Sequence, residues 1–169
     1  RSSRSFRAEG WWQKCLDQSP QYLLIQFGHN DQPGKGPARE SVAANDFRDH
    51  LRQFVDDARG AGICPVLVTS LTRRRWDQHG HIVPTLGEYA KATAIVAGEE
   101  SVPLIDRDRL SIDHGHRLGP VAFRAYGPMS ETGADHTHLN EAGSHAVGKL
   151  VARELIKQIP ELELCFVSA

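Results

Sequence analysis

The sequence predicts an α/β fold, in which helices cover both faces of a parallel β-sheet. Three short apolar runs without strict alternation, at residues 22–27, 65–70 and 102–106, are typical of strands that are buried on both sides. Helical patterns of roughly 15–20 residues separate these runs, and strands that alternate with such helices form βαβ units with right-handed crossovers. Three strands are few for a sheet of this kind, so we expect it to lack an amino-terminal part.

Apolar spacing and capping residues predict the helices. The clearest helix covers residues 41–59, with Ser41 able to cap its start and Gly60 placed to end it. The other predicted helices cover residues 8–18, 86–100, 108–118 and 140–159. Residues 1–6 are interpreted as a polar lead-in, and residues 119–137 as a long loop of the kind that is often functional. The last ten residues support no prediction.

The composition indicates one ordinary domain over residues 1–169. A chain of 169 residues with 40% hydrophobic and 24% charged residues can bury a substantial core. Its formal net charge of −1, without long blocks of either sign, predicts no nucleic-acid partner and no membrane partner. No apolar run approaches the roughly 18 residues that span a bilayer. Three separated cysteines without C-x-x-C spacing argue against a disulfide framework or a zinc ribbon.

Polar residues directly follow the first predicted strand. The run from Tyr22 to Phe27 is followed by Gly28, His29, Asn30 and Asp31. In open α/β sheets, ligands bind just beyond the carboxyl ends of the strands. The amide of Asn30 can there donate a hydrogen bond to a developing oxyanion. Asn30 and Asp31 can equally be turn-forming residues after the glycine.

A second polar motif, Asp135-His136-Thr137-His138, precedes the last predicted helix. Residues three apart in a turn that leads into a helix lie on one side. The carboxylate of Asp135 can therefore accept a hydrogen bond from one ring nitrogen of His138 and leave the other nitrogen as a base. Such a pair is the base and the orienter of a nucleophilic triad. The same spacing also occurs where a capping aspartate lies beside a surface histidine.

Taken together, these motifs resemble those of a known enzyme family. Gly28 to Asp31 resembles the third motif block of the SGNH (GDSL) hydrolases, and Asp135 to His138 resembles their fifth block. Within that superfamily, three stretches are similar to the rhamnogalacturonan acetylesterase group: Arg1 to Phe6 with Glu9 and Gly10, Ile25 to Asp31, and Val102 to Asp106. The similarity keeps the block order over nearly the whole chain.

The resemblance implies a three-layer α/β/α, flavodoxin-like parallel sheet. It also implies an esterase that removes acetyl groups from pectic or related polysaccharides through a serine acyl-enzyme, without a cofactor or a metal. By position, His138 is the general base, Asp135 its orienter and Asn30 an oxyanion-hole donor. The family's nucleophile belongs to a Gly-Asp-Ser block at the end of the first strand, and this chain contains no such tripeptide. The second-block glycine would stand just before Arg1. We therefore expect an amino-terminally incomplete domain that lacks its first two strands and is inactive alone. The substrate class favours an extracytoplasmic location.

Two other interpretations stay open. Three His-x-His pairs, together with Asp135, can supply two histidines and a carboxylate to a metal-dependent hydrolase, although solvated loop histidines explain the pairs as well. These pairs are His79/His81, His114/His116 and His136/His138. The other interpretation is a non-catalytic carbohydrate-binding remnant. It would keep Trp76 and the arginines Arg73 to Arg75, which form either a solvated loop or a group that orients a sugar or a carboxylate.

The remaining serines and the sheet edge carry further expectations. Ser70 ends the second strand, but nothing next to it would activate its hydroxyl. Ser2, Ser3 and Ser5 are expected to cap or brace the following helix. Without a first strand beside it, the segment 23–27 would have an unpaired apolar edge, which favours self-association.

Overall fold

The computed structural model describes residues 1–130 and 133–166, which form two compact units. The first unit comprises Arg1–Ser70 and Leu86–Asp106. The second comprises Leu71–Thr85 and the described residues from Arg107 onward. The single domain expected over residues 1–169 stays a prediction.

A three-stranded parallel sheet lies at the centre of the first unit. Its strands, in spatial order, are β1 (Tyr22–Ile25), β2 (Cys64–Val68) and β3 (Leu104–Ile105). Leu24 pairs with Val66, and Val68 pairs with Ile105. The strands coincide with the three predicted apolar runs, but each strand ends one or two residues before its run does. The last residues of these runs are therefore loop residues at the carboxyl edge of the sheet.

Four helices complete the first unit: α1 (Ser3–Ala8), α2 (Trp11–Leu16), α3 (Asp46–Gly60) and α4 (Gly87–Glu99). Helices α3 and α4 pack against each other and against β2. Their apolar side chains form a core with the sheet, because the buried positions of α3 recur every three or four residues. The fully buried members of this core include Phe47, Leu51, Phe54, Val55, Leu67 and Val96.

The amino-terminal helices differ from the prediction. The expected helix over 8–18 is interrupted, because Gly10 adopts a left-handed conformation with φ 75° and α2 begins only after it. The expected polar lead-in is instead helix α1, which Ser2 and Ser5 stabilise through a reciprocal capping box. Capping by these serines was correctly predicted, but for a helix that the sequence did not indicate.

Helix α3 also begins later than predicted. It starts at Asp46, after the N-cap residue Asn45, so the capping role expected of Ser41 is wrong. The backbone N–H of Ser41 instead donates to the carbonyl oxygen of Asp31, at 2.9 Å. Ser41 is thereby part of the loop that follows β1.

The second unit is mostly helical. It contains α5 (Arg107–Arg124), a short hairpin of β4 (Met129–Ser130) and β5 (Gly133–Ala134), α6 (Glu141–Gln158) and a 3₁₀ helix (Pro160–Cys165). Helix α5 packs on α6 and continues past a kink at Gly119 and Pro120. The first part of the loop predicted over 119–137 is therefore helical. Residues 131 and 132 of that loop, and 167–169 of the terminal segment, lie outside the described residues.

Two observations concern the surface. Strand β1 lies at an edge of the sheet, and Leu24 on it is 44% exposed. Self-association through this edge stays a prediction. Over residues 1–130 and 133–166, no helix combines the length and the apolar character needed to cross a membrane.

Candidate active site

A glycine turn ends the first strand and opens the loop that carries Asn30. Gly28 has φ +126°, a conformation that side-chain-bearing residues rarely adopt. A Cβ atom at this position would lie 2.3 Å from Ser70 Oγ and 3.2 Å from Tyr89 Cβ. The Ser70 hydroxyl is buried and donates to the carbonyl oxygen of Phe27 at 2.7 Å. Ser70 therefore forms a wall of the turn, and its hydroxyl is already used.

Asp31 holds the loop after this turn. Its side chain is 0% exposed. One carboxylate oxygen accepts the backbone N–H of Gly28 at 3.0 Å. The other accepts the backbone N–H of Ser3 at 3.0 Å and the Ser3 hydroxyl at 2.5 Å. Burial raises the pKa of Asp31, and the hydrogen bonds from Ser3 and Gly28 oppose that rise. The loop and the start of α1 are thus held by one carboxyl group.

His50 extends this buried network. Its Nδ1 lies 2.9 Å from the Ser3 hydroxyl and 3.4 Å from the Ser41 hydroxyl. Burial lowers the pKa of His50, and the positive charge of Arg4 lowers it further. Serine, histidine and aspartate therefore meet, but the carboxylate contacts the serine and not the histidine. This order differs from that of a nucleophilic triad, in which the acid orients the base.

Asn30 lies between Gly28 and the buried Asp31 at the sheet's carboxyl edge. Its side-chain nitrogen donates to the carbonyl oxygen of Arg1 at 3.2 Å. A carboxamide nitrogen carries two hydrogens, so this contact leaves a second donor. The amide is thereby fixed by the amino-terminal segment, as a preorganised hydrogen-bond donor has to be.

Asp135 and His138 form a hydrogen-bonded pair in the second unit. Asp135 Oδ2 lies 2.6 Å from His138 Nδ1. The other carboxylate oxygen accepts the backbone N–H groups of Thr137 at 2.6 Å and of His138 at 2.9 Å. The hydrogen bond from the His138 side chain, followed by these backbone bonds, lowers the pKa of Asp135. The carboxylate thus stays ionised and occupies one ring nitrogen, while the His138 side chain is 80% exposed.

A buried arginine supports the same turn from behind. The Arg74 side chain is 0% exposed, and its Nη2 donates to the carbonyl oxygens of Asp135, at 2.8 Å, and of His138. The Arg74 backbone N–H donates to the carbonyl oxygen of His136 at 2.9 Å. Burial lowers the pKa of Arg74, and the negative charge of Asp135 opposes this. The guanidinium remains charged at ordinary pH.

The predicted site residues are therefore distributed over both units. The structure brings Asp135 and His138 together and places Asn30 in the other unit, beside Asp31 and the start of α1. His136, the other histidine of the second motif, makes no contact with the Asp135 carboxylate among the described contacts. Its ring nitrogen Nδ1 is buried and contacts no hydrogen-bond partner among the described residues.

The other histidine pairs are engaged in local contacts. His81 lies 3.6 Å from Asp77, and His116 Nε2 accepts the backbone N–H of Ile82 at 3.2 Å. His114 Nε2 lies 3.3 Å from the Tyr126 hydroxyl. In the part of the chain that the structure describes, no group of three histidine, cysteine or acidic side chains is placed to hold a metal ion.

Two features of the site were not predicted from the sequence. The spacing of His50 from Phe47 and Phe54 places it beside the buried stripe of α3, and this spacing was the available signal for its network with Ser3. The sequence contains no comparable signal for the burial of Arg74. Three identical arginines follow one another, and nothing in their order indicates that the middle one is buried while Arg73 and Arg75 are less so.

Comparison with known proteins identifies the family. The family model described as GDSL-like Lipase/Acylhydrolase family matches residues 1–146. The chain is 38% identical to Rhamnogalacturonan acetylesterase RhgT of Bacillus subtilis, over 89% of this chain and 68% of that protein. It is 32% identical to Probable rhamnogalacturonan acetylesterase YesY of the same organism, over 90% of this chain and 71% of that protein.

Solved structures agree on the fold. YxiM of Bacillus subtilis superposes with a TM-score of 0.80 at 25% identity, over 94% of this chain. The chain spans only 43% of that solved protein. The acetylxylan esterase Axe2 of Geobacillus stearothermophilus superposes with a TM-score of 0.67 at 16% identity, over 94% of this chain and 68% of that one. The predicted α/β fold class and the predicted ester-hydrolase class are thus confirmed. The chain belongs to the GDSL-like lipase/acylhydrolase family and, within it, resembles the rhamnogalacturonan acetylesterases.

Proposed function

We propose that this chain carries the base and an oxyanion donor of a serine esterase that removes acetyl groups from rhamnogalacturonan or a related polysaccharide. The observation that carries the proposal is the 2.6 Å hydrogen bond between Asp135 and His138 Nδ1, beside an exposed imidazole ring. The names of RhgT and YesY support acetylated rhamnogalacturonan as the substrate class. The chain itself contains no Gly-Asp-Ser, so the proposal assigns the nucleophile to a segment outside these 169 residues.

In the acylation step, His138 Nε2 removes the hydroxyl proton of the nucleophilic serine as its oxygen bonds to the acetyl carbonyl carbon. The carbonyl oxygen gains the negative charge, and the amide of Asn30 donates a hydrogen bond to it. When the tetrahedral intermediate collapses, the bond between the carbonyl carbon and the sugar oxygen breaks. His138 returns the proton to that oxygen. A water molecule then repeats the sequence on the acyl-enzyme and releases acetate.

Asp135 acts on the base in this mechanism, and not on the substrate. An ionised carboxylate at Nδ1 fixes the tautomer in which Nε2 can accept a proton, and it stabilises the imidazolium that forms. The carboxylate of Asp135 is itself held in place, because one of its oxygens accepts hydrogen bonds from two backbone N–H groups. The lowered pKa of Asp135 keeps its carboxylate ionised.

The test compares this chain with a longer version that carries a Gly-Asp-Ser block ahead of Arg1. Acetate release is measured from acetylated rhamnogalacturonan and, for comparison, from acetylated xylan. We expect release by the longer version only, with rhamnogalacturonan preferred. A variant with Ala in place of the block's serine is the matched control.

Three results would contradict the proposal. Robust turnover by the short chain that a serine-directed reagent abolishes would show that the nucleophile lies within the 169 residues. The absence of acetate release by the longer version from either polymer would refute the esterase activity. Binding of the acetylated oligosaccharide by the longer version without turnover would instead favour the carbohydrate-binding alternative.

A further inference from the structure

Among three consecutive arginines, Arg74 has a different environment from its neighbours. The Arg74 side chain is completely buried, whereas Arg75 is exposed and Arg73 is half-buried, with its guanidinium donating to the Thr85 hydroxyl at 3.0 Å. A buried charge costs folding free energy unless hydrogen-bond partners compensate it. The compensating partners of Arg74 therefore indicate what this residue does.

The partners of Arg74 are main-chain carbonyl oxygens of one turn. Three successive contacts reach the segment 135–138, two from the guanidinium and one from the Arg74 backbone. Within residues 1–130 and 133–166, no carboxylate oxygen forms an ion pair with Arg74, and its Nε and Nη1 contact no acceptor. Because hydrogen bonds from a charged donor are stronger than neutral ones, the turn and the guanidinium depend on each other.

Gly127 completes the arrangement. A Cβ atom at this position would lie 2.2 Å from the carbonyl oxygen of Asp135 and 2.7 Å from Arg74 Nη2. Both distances are far below normal carbon contacts, so only glycine leaves room for the guanidinium to reach the turn. The segment from Asp135 to His138 is thus fixed from two sides. Arg74 holds its carbonyl oxygens, and the Asp135 carboxylate holds its N–H groups.

We propose that Arg74 is a positioning residue that sets the geometry of the Asp135–His138 pair through the carbonyl oxygens of their turn. The proposal rests on the proposed function for its catalytic consequence, but its structural content concerns only the pair. Arg74 is buried behind the turn, so it acts through Asp135 and His138 and does not contact substrate. Loss of the guanidinium frees the turn, and the ring of His138 is then no longer held against one carboxylate oxygen.

The direct readout is the tautomer of His138, measured on this chain by long-range ¹H–¹⁵N correlation from the ring carbon protons. In the unaltered chain, the hydrogen bond to Asp135 places the proton on Nδ1. We expect Arg74→Met to give a mixture of the two tautomers, and Arg74→Lys to restore part of the preference. Arg75→Met, a change of the same size at an exposed neighbour, is the control and leaves the tautomer unchanged.

Activity of the longer version that carries the Gly-Asp-Ser block gives the second readout. Misplacement of a catalytic group by about 1 Å costs on the order of 10²-fold in rate. We expect Arg74→Met to lower kcat by about this factor with little change in KM, and Arg75→Met to change neither. If Arg74→Met does not fold, Gly127→Ala decides by the same two readouts, because its Cβ would displace the guanidinium from the turn while keeping Arg74.

A folded Arg74→Met chain with the original tautomer and with kcat within twofold of the original would overturn the proposal. That outcome is distinct from a failure of the proposed function. If His138→Ala keeps full activity, the assignment of the base is wrong, yet the effect of Arg74 on the tautomer is still measurable in the short chain.

Discussion

Gly28→Ala is expected to destabilise the first unit strongly, because the loop that presents Asn30 is built on this turn. The positive φ of +126° is one cause, and a backbone in such a sparsely populated region costs about 1–3 kcal/mol. The added Cβ is the other cause. At 2.3 Å from Ser70 Oγ it overpacks a buried site, which costs about 1–3 kcal/mol more.

The expected loss is therefore about 2–6 kcal/mol, a large part of the 5–15 kcal/mol that holds an ordinary domain folded. A second substitution separates the two causes. Ser70→Ala removes the Oγ atom and its hydrogen bond to the Phe27 carbonyl, which also accepts from the Gln26 side chain at 3.1 Å. Because that carbonyl keeps a partner, Ser70→Ala alone should cost only about 0.5–1.5 kcal/mol.

The double variant should be less destabilised than the sum of the two single variants. Removing Oγ relieves the clash but not the backbone strain, so we expect a coupling free energy of about 1–3 kcal/mol. Urea unfolding of the four proteins measures this coupling when it is followed by tryptophan fluorescence in a Trp76→Phe background, which leaves Trp11 and Trp12 of the first unit as the reporters. Additivity within about 0.5 kcal/mol would show that Ser70 is not the wall of the turn. A Gly28→Ala chain as stable as the original would refute the whole argument.

Three further predictions concern the loop and the pair. In the longer version with the Gly-Asp-Ser block, Asn30→Ala should lower kcat by about 10²–10³-fold with little effect on KM, because an oxyanion donor acts in the transition state. An unchanged kcat would remove Asn30 from the mechanism. Asp135→Asn should lower kcat by orders of magnitude, because the imidazole loses the carboxylate that fixes its tautomer and stabilises the imidazolium; a kcat within tenfold of the original contradicts this. Burial raises the pKa of Asp31, so the folded state binds its proton more tightly than the unfolded chain. Stability should therefore fall as pH rises from about 3.9 through the folded-state pKa, and urea midpoints of Asp31→Asn should lose that slope.

The sheet was predictable because short apolar runs bounded by turn residues have a strong local signature, although burial on both sides is wrong for β1, where Leu24 is 44% exposed. The apolar runs that begin at Tyr22 and Pro65 both became strands. Their ends were not predictable, since the final residues leave the ladder for specific partners. The Ser70 hydroxyl donates to Phe27, and the Thr69 hydroxyl donates to Asp106 at 3.1 Å. No periodic pattern encodes such contacts.

Of the polar contacts at the site, the local one was predictable from the sequence and the long-range ones were not. The hydrogen bond between Asp135 and His138 follows from their spacing, and the sequence predicted it correctly. The network of Asp31, Ser3 and His50 joins residues up to 47 positions apart, and the support of the turn by Arg74 crosses about 60 positions. Long-range contacts of this kind depend on the packing of the whole unit, which local spacing does not contain.

The most direct test of the proposed mechanism compares two histidines that are two residues apart. His138 Nδ1 contacts the Asp135 carboxylate, whereas the His136 ring contacts no hydrogen-bond partner through its Nδ1 among the described residues. In the longer version that carries the Gly-Asp-Ser block, acetate release should be nearly abolished by His138→Ala and largely kept by His136→Ala. If His136→Ala is the inactive variant and His138→Ala keeps most of the activity, the base is wrongly assigned and the proposed mechanism is contradicted.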